Sequence, residues 1–321
     1  MSLISRSLVL LFASVTIASA QEYPTKTVRM IVPFAPGGAT DVLARIVSQK
    51  LYERWGHIVL AENRVGASGN IGAEFVAKSA APDGYTLLVA GAPHAINMSL
   101  FTNLRYDLAR DLAPISAIAA FPSLIAVHPS VPVRSVKELV ALAKARPGEL
   151  NFGSAGNGSP NHLSMELFKT MAKVNMTHIP YKGGSGQMVS DLLAGQVQLA
   201  SMGLPPAMPY AKSGRLRVIA VTSARRSPLL ADVPTVAETG LPGYEVNSWY
   251  GVFAPPALSK DLVAKINADV IAVLGNADLK ERLSSLGAEP QPMSPDEFGR
   301  FVREDIAKWA KVVKESGAKV D

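Results

Sequence analysis

The residues Pro33-Phe34-Ala35-Pro36-Gly37-Gly38-Ala39-Thr40-Asp41 join an apolar run, Val28 to Val32, to an amphipathic pattern through an uncharged turn with paired glycines. Backbone N–H groups freed by such a turn and by the first turn of a helix point outward. The helix dipole adds roughly half a positive charge where they converge. The chemistry this permits is anion binding, with a carboxylate as a fitting guest. Phe34, Ala35, Gly37 and Gly38 are therefore candidate contacts, although the glycine pair would equally serve a plain tight connection. Asp41 reads either as the helix cap or as an acceptor for loop amides that fixes the turn.

Two later loops repeat the theme. Ser154, Asn157, Ser159 and Asn161 offer hydroxyl and amide groups, while Gly156 and Gly158 let a ligand approach the backbone closely. His162 either covers this loop or touches the ligand. The third loop runs Tyr181-Lys182-Gly183-Gly184-Ser185-Gly186, and Tyr181, Lys182 and Gly183 stand at a strand exit. Asp191, on the helix that follows, could receive an ammonium or hydroxyl group or simply face solvent. Asn70, at the end of a further glycine-rich turn from Asn63 to Gly72, completes the candidate contacts. Donor sets facing each other from two lobes would suit a small molecule with two polar ends.

Catalytic patterns mostly fail. Gly66-Ala67-Ser68-Gly69-Asn70 lacks the last glycine of a nucleophile elbow, and Gly156 to Asn161 lacks the last glycine of a dinucleotide fingerprint. His57, His94, His128, His162 and His178 show no zinc spacing, so neither a metal, a cofactor nor a catalytic residue is expected.

The elements that must hold these loops alternate in the manner of α/β layers with largely parallel sheets. After Val28 to Val32, the residues Val42, Leu43, Ile46, Val47, Leu51 and Trp55 make one helical stripe that Gly56 ends. Ile58 to Ala61 and Thr86 to Ala90 read as strands, the latter meeting a small-residue turn from Gly91 to His94. A second rhythm follows Ser123 to Val127, with strands at Leu150 to Gly153, Thr177 to Pro180, Val197 to Ser201 and Arg217 to Val221. From Asn247 an aromatic strand, Trp249 to Ala254, leads into three amphipathic helices that bring no new glycine loop. Trp249 and Tyr250 could floor a cleft or serve the core. If these helices return to the first lobe, the chain crosses twice, near 128 and near 246, and two crossings make a hinge. The expected division is 21–127 with 247–321 as one lobe and 128–246 as the other.

Residues 1–20 read as an export leader, with Arg6, an apolar stretch from Leu8 to Ile17 and the small-residue end Ala18-Ser19-Ala20. That stretch is shorter than the roughly twenty residues a membrane span needs. The 321-residue chain contains no cysteine, which removes disulfides, thiolate nucleophiles and a lipid-acceptor thiol together. A net charge of +6 is spread without blocks, unlike a nucleic-acid binder.

Tyr23-Pro24, the run Pro33 to Arg45, Glu62 to Gly72, Pro82-Asp83-Gly84-Tyr85-Thr86-Leu87, Gly153 to His162 and Pro180-Tyr181-Lys182-Gly183 together resemble the Bug family. Those are the periplasmic solute receptors of tripartite tricarboxylate transporters. The resemblance implies a two-lobed α/β fold of the type II periplasmic-binding-protein kind, a Venus-flytrap cleft between two Rossmann-like lobes. It implies a monomeric periplasmic receptor, not an enzyme, that closes on a small carboxylate solute and delivers it to membrane permease subunits. A periplasmic sensor feeding a signalling partner is the alternative. By the same resemblance Phe34 to Asp41 grips one carboxylate through amides and ordered waters, while Ser154 to Ser159 and Tyr181 to Gly183 take the other end.

Overall fold

Strand and helix alternate along residues 23–181 and 185–319, the parts that the computed structural model describes. The leader expected over residues 1–20, and Lys182 and Gly183 among the candidate contacts, lie outside them. The first set comprises β1 (Val28–Val32), α1 (Ala39–Trp55), β2 (Val59–Asn63), α2 (Asn70–Lys78), β3 (Thr86–Gly91) and α3 (Ala92–Leu100). A long strand, β4 (Ala113–Val127), leads to α4 (Val136–Ala145), β5 (Asn151–Ser154), α5 (Pro160–Ala172) and β6 (Thr177–Pro180). Then come α6 (Ser185–Leu193), β7 (Leu199–Gly203), α7 (Leu204–Lys212), β8 (Arg217–Val221) and the one-turn α8 (Val236–Thr239). Last in order are β9 (Asn247–Ala254), α9 (Lys260–Leu274), α10 (Ala277–Ser285), β10 (Glu289–Pro290) and α11 (Pro295–Ser316). Among the described residues no helix is long and apolar enough to cross a membrane.

The strands form one hydrogen-bonded path, β2-β1-β3-β9-β4-β7-β5-β6, with β8 and β10 also pairing with β4. Pairing is parallel within each wing, β2-β1-β3 and β7-β5-β6. At the centre it is antiparallel, because β9 returns against β3 and β4, and β4 runs against β7 and β8. The expected largely parallel sheets are thus mixed. Residues 113–122 of β4 pair with β9, and Ser123 to Val127 pair with β7. Pro114 and Pro122, which would interrupt a regular central strand, are accommodated in this ladder, whose register shifts between Pro114 and Ser116 and again between Ala117 and Ala119.

Apolar runs arise because helices cover both sheet faces. Met30, Val32, Leu87 and Val89 share a core with Leu43, Val47 and Leu51 of α1 and Ile266 and Val270 of α9. Ile31, Leu88 and Ala90 point the other way, into a core with Ala73 and Val76 of α2 and Phe298, Val302 and Trp309 of α11. Each fully buried leucine or isoleucine contributes roughly 2 kcal/mol. Trp249 joins this second core. Its indole donates to buried Asp305 Oδ2 at 2.7 Å, which also accepts from Trp309 at 3.0 Å, so α11 is pinned to β9. Gly251 permits that approach, since a Cβ there would stand 2.2 Å from Phe298 Cζ.

The stretch from Gly91 to His94, expected as a turn, opens α3. Pro93 sits within the first helical turn, where a missing N–H is harmless, and buried His94 Nδ1 accepts from Gly91 N at 3.3 Å. His94 Nδ1 therefore carries the lone pair. Burial holds this imidazole down to about 4, against the opposing pull of the adjacent Gly69 and Gly91 backbone.

Where the chain passes between the two wings, Thr222 ties the crossings together. Its N–H donates to Ser123 O at 2.8 Å and Val246 N donates to Thr222 O at 2.8 Å. The buried Thr222 hydroxyl lies 2.9 Å from Ser123 O and 2.7 Å from Val246 O, so one proton is shared by two carbonyls. Thr222→Val should lower stability by about 1–2 kcal/mol in urea unfolding; an unchanged midpoint denies the hydroxyl this role. Acid gives a second test. Below pH 6.5 unfolded His94 takes up a proton that native His94 refuses until about pH 4, so up to roughly 3 kcal/mol of stability is lost across that window. A thermal midpoint for His94→Gln with the same fall over that window would contradict this assignment.

Candidate functional site

At the C-terminal end of β1, residues 35–39 are exposed and Gly37 takes a left-handed φ of 83°. No side chain caps the start of α1 at Gly38, which leaves its first amides open to an outside acceptor. Asp41 is buried and does not serve as the helix cap. Its Oδ2 accepts from Gly37 N at 3.0 Å and Arg45 Nε at 2.9 Å, and its Oδ1 accepts from Asn63 Nδ2 at 2.9 Å. The Arg45 hydrogen bond outweighs burial and, with the Gly37 amide, holds the carboxyl at about 2. Asn63 Nδ2 also donates to Phe34 O at 2.9 Å. One carboxylate thus fixes the loop from both ends, the N–H of Gly38 turns back to Ala35 O at 3.5 Å, and the amides that follow at the start of α1 have no side-chain cap.

The turn before α2 is more strained. Gly66, Ala67, Ser68 and Gly69 all take positive φ, and at Ala67 and Ser68 that conformation is unusual for a side chain bearing a Cβ. Buried Asn70 anchors it: Oδ1 accepts from Asn97 Nδ2 at 3.0 Å and Tyr106 OH at 2.9 Å, and Asn97 also donates to Ser68 O at 3.0 Å. Asn70 Nδ2 and His94 Nε2 are buried with no partner in hydrogen-bonding geometry. Gly69 separates His94 from Phe34, since a Cβ there would come 2.9 Å from each. Phe34 meets His94 edge-on, with centroids 5.6 Å apart. The first-lobe candidates Phe34, Gly37, Gly38 and Asp41 are therefore parts of one assembly with Asn70, Asn63 and His94.

In the second wing, Ser154 ends β5 with its hydroxyl buried. It accepts from Gly156 N at 3.1 Å and lies 2.6 Å from His178 Nε2. Ser159 caps α5 by accepting from His162 N at 3.3 Å. His162 Nδ1 accepts from Gly158 N at 3.1 Å. Asn161 Nδ2 donates to Ser201 O at 2.7 Å, tying the loop to β7. Asn157 is the exposed member. Tyr181 N donates to Ser154 O at 3.1 Å, which joins the second and third loops. Tyr181 OH donates to Asp191 Oδ2 at 2.9 Å, and Asp191 Oδ1 accepts from Gln187 at 2.8 Å. Burial and the Asp191 carboxylate push the Tyr181 phenol up to about 12.

The two wings meet at Gly158, where a Cβ would come 2.7 Å from Leu100 Cδ1 at the end of α3. Reasoning from sequence missed Asn63, His94 and His178. The last stands in the strand before Tyr181, and no local pattern marks its pairing with Ser154. Among the described residues no cluster of three histidine or acidic side chains could hold a metal ion. The arrangement offers the uncapped amides at the start of α1, with the carboxylates of Asp41 and Asp191 engaged by neighbouring groups. It can hold an anion.

Comparison with known proteins gives a consistent picture. A profile described as tripartite tricarboxylate transporter family receptor matches residues 43–318. Protein BugT of Bordetella pertussis is 40% identical over 306 residues, covering 94% of this chain and 93% of BugT. An R. palustris protein solved with adipate is 42% identical with a TM-score of 0.75, covering 92% of this chain and 99% of that one. MatC from Rhodopseudomonas palustris, solved with bound malate, is 34% identical with a TM-score of 0.71, covering 91% and 100%. The α/β fold is shared with these solute-binding proteins, and the chain belongs to the tripartite tricarboxylate transporter receptor family, a family of solute receptors and not of enzymes.

Proposed function

We propose that this protein is the periplasmic receptor of a tripartite tricarboxylate transporter and captures a small dicarboxylate in the cleft between its wings. The observation that carries this reading is the uncapped start of α1, whose exposed loop is held in shape by Asp41. Residues 21–127 with 247–321 form one lobe and 128–246 the other; they close about the crossings tied by Thr222. Phe34, Ala35, Gly37 and Gly38, with the Asn70 turn, take one carboxylate. The loops at Gly156 to Ser159 and Tyr181 to Gly183 take the other end. Adipate and malate, the solutes of the two solved relatives, are both flexible dicarboxylates and support that class. The closed monomer delivers its solute to membrane permease subunits, the leader at residues 1–20 having directed export.

A closure driven by solute stabilises only the native state. Adipate or malate at about 100 times its dissociation constant should stabilise by roughly 2.7 kcal/mol, seen as a raised thermal midpoint, whereas glucose should not. Stabilisation by neutral sugars with none by any dicarboxylate would reject the reading. Asp41→Ala should leave the far-ultraviolet circular dichroism spectrum unchanged yet weaken binding at least tenfold, because the loop loses three ties at once. Unaltered affinity in titration calorimetry would remove this loop from the site.

A further inference from the structure

His162 and His178 stack face to face, with centroids 3.8 Å apart and planes 12° from parallel, and Phe152 stacks on His178 at 5.0 Å. Each ring also holds a different point of the same loop. His162 Nδ1 accepts from the buried Gly158 N–H at 3.1 Å, and His178 Nε2 lies 2.6 Å from the Ser154 hydroxyl. Because Nδ1 of His162 is the acceptor, its neutral ring carries the proton on Nε2, which points to Glu166 Oε1 at 3.6 Å. A second proton has only Nδ1 to occupy. There it would replace the acceptor of Gly158 by a donor, and a buried N–H would lose its partner.

We propose that His162 and His178 are positioning residues that hold the 154–159 loop in its solute-binding shape, His162 through its unprotonated Nδ1, so that acidification loosens the loop and weakens solute binding. This rests on the binding role proposed above. Charged groups of both signs surround the pair. Glu166 is already neutralised by Lys169, which contacts both its oxygens at 2.7 and 3.0 Å. The Lys169 ammonium lies 5.5 Å from the Phe152 ring centroid, on the same stack. From the C-terminal segment, Ser316, Gly317 and Lys319 close a cavity of about 340 Å³ shared with Asn157 and the pair, and Lys319 adds a further positive charge. Burial and the neighbouring His162 hold His178 down to about 4.

The test uses the mature chain with adipate and malate as probes, measured by calorimetry from pH 7.5 to pH 4.5, together with amide exchange of Gly158 in the solute-free protein. Affinity should fall at least tenfold on acidification while Gly158 loses protection over the same range. His162→Leu should weaken binding at pH 7.5, and His162→Asn, whose Oδ1 can replace Nδ1 but cannot be protonated, should recover part of that loss and show no acid response. An affinity that is flat with pH, or an acid response kept by His162→Asn, overturns the proposal. If neither probe binds at any pH while Gly158 exchange follows pH in the native chain and not in His162→Asn, the dicarboxylate reading fails and the positioning role stands.

Discussion

β4 must satisfy two sets of neighbours with one backbone, and the rest of the architecture follows from that demand. Its first part pairs with β9 and β10, its last five residues with β7 and β8. Every buried N–H and C=O along it needs a partner on both sides of the changeover. Thr222 supplies one where regular pairing stops, joining Ser123 to Val246 through backbone and hydroxyl alike. The two wings are therefore joined through β4 and the tie at Thr222.

The candidate site follows a second economy, in which charge is spent on shape. Asp41 is consumed by Gly37, Arg45 and Asn63, Asp191 by Tyr181 and Gln187, and Glu166 by Lys169. What remains open are amides such as those at the uncapped start of α1. Such dipoles attract a carboxylate without requiring a particular side chain opposite each oxygen.

Local chemistry made much of this legible in the sequence. Paired glycines after an apolar strand located the loop at residues 34–41, glycines separated by one residue located that at 154–159, and the stripe expected along α1 has Leu43, Ile46, Val47 and Leu51 buried. Long-range pairing was less legible. Pro114 and Pro122 disguise β4, whose irregular register is set by β9 more than a hundred residues later. Pro93 and small alanines disguise α3, whose start depends on a histidine buried by its tertiary surroundings. The alternative roles weighed for Asp41 could be separated only by seeing Asn63 and Arg45 converge on it. His178 acquires meaning from its neighbours in space, Ser154 and His162, neither of which is near it in sequence.

The place of β9 also sets an order of manufacture. It lies between β3 and β4, and α9 and α11 cover the two faces of the strands made first. As the polypeptide emerges from N- to C-terminus, β3 has only β1 beside it, and α1 and α2 give only part of the cover over the apolar faces until β9, α9 and α11 arrive. The intervening wing, made of consecutive segments, can assemble earlier. The segment from β9 to α11 thus acts as the clasp that completes a structure begun with β1.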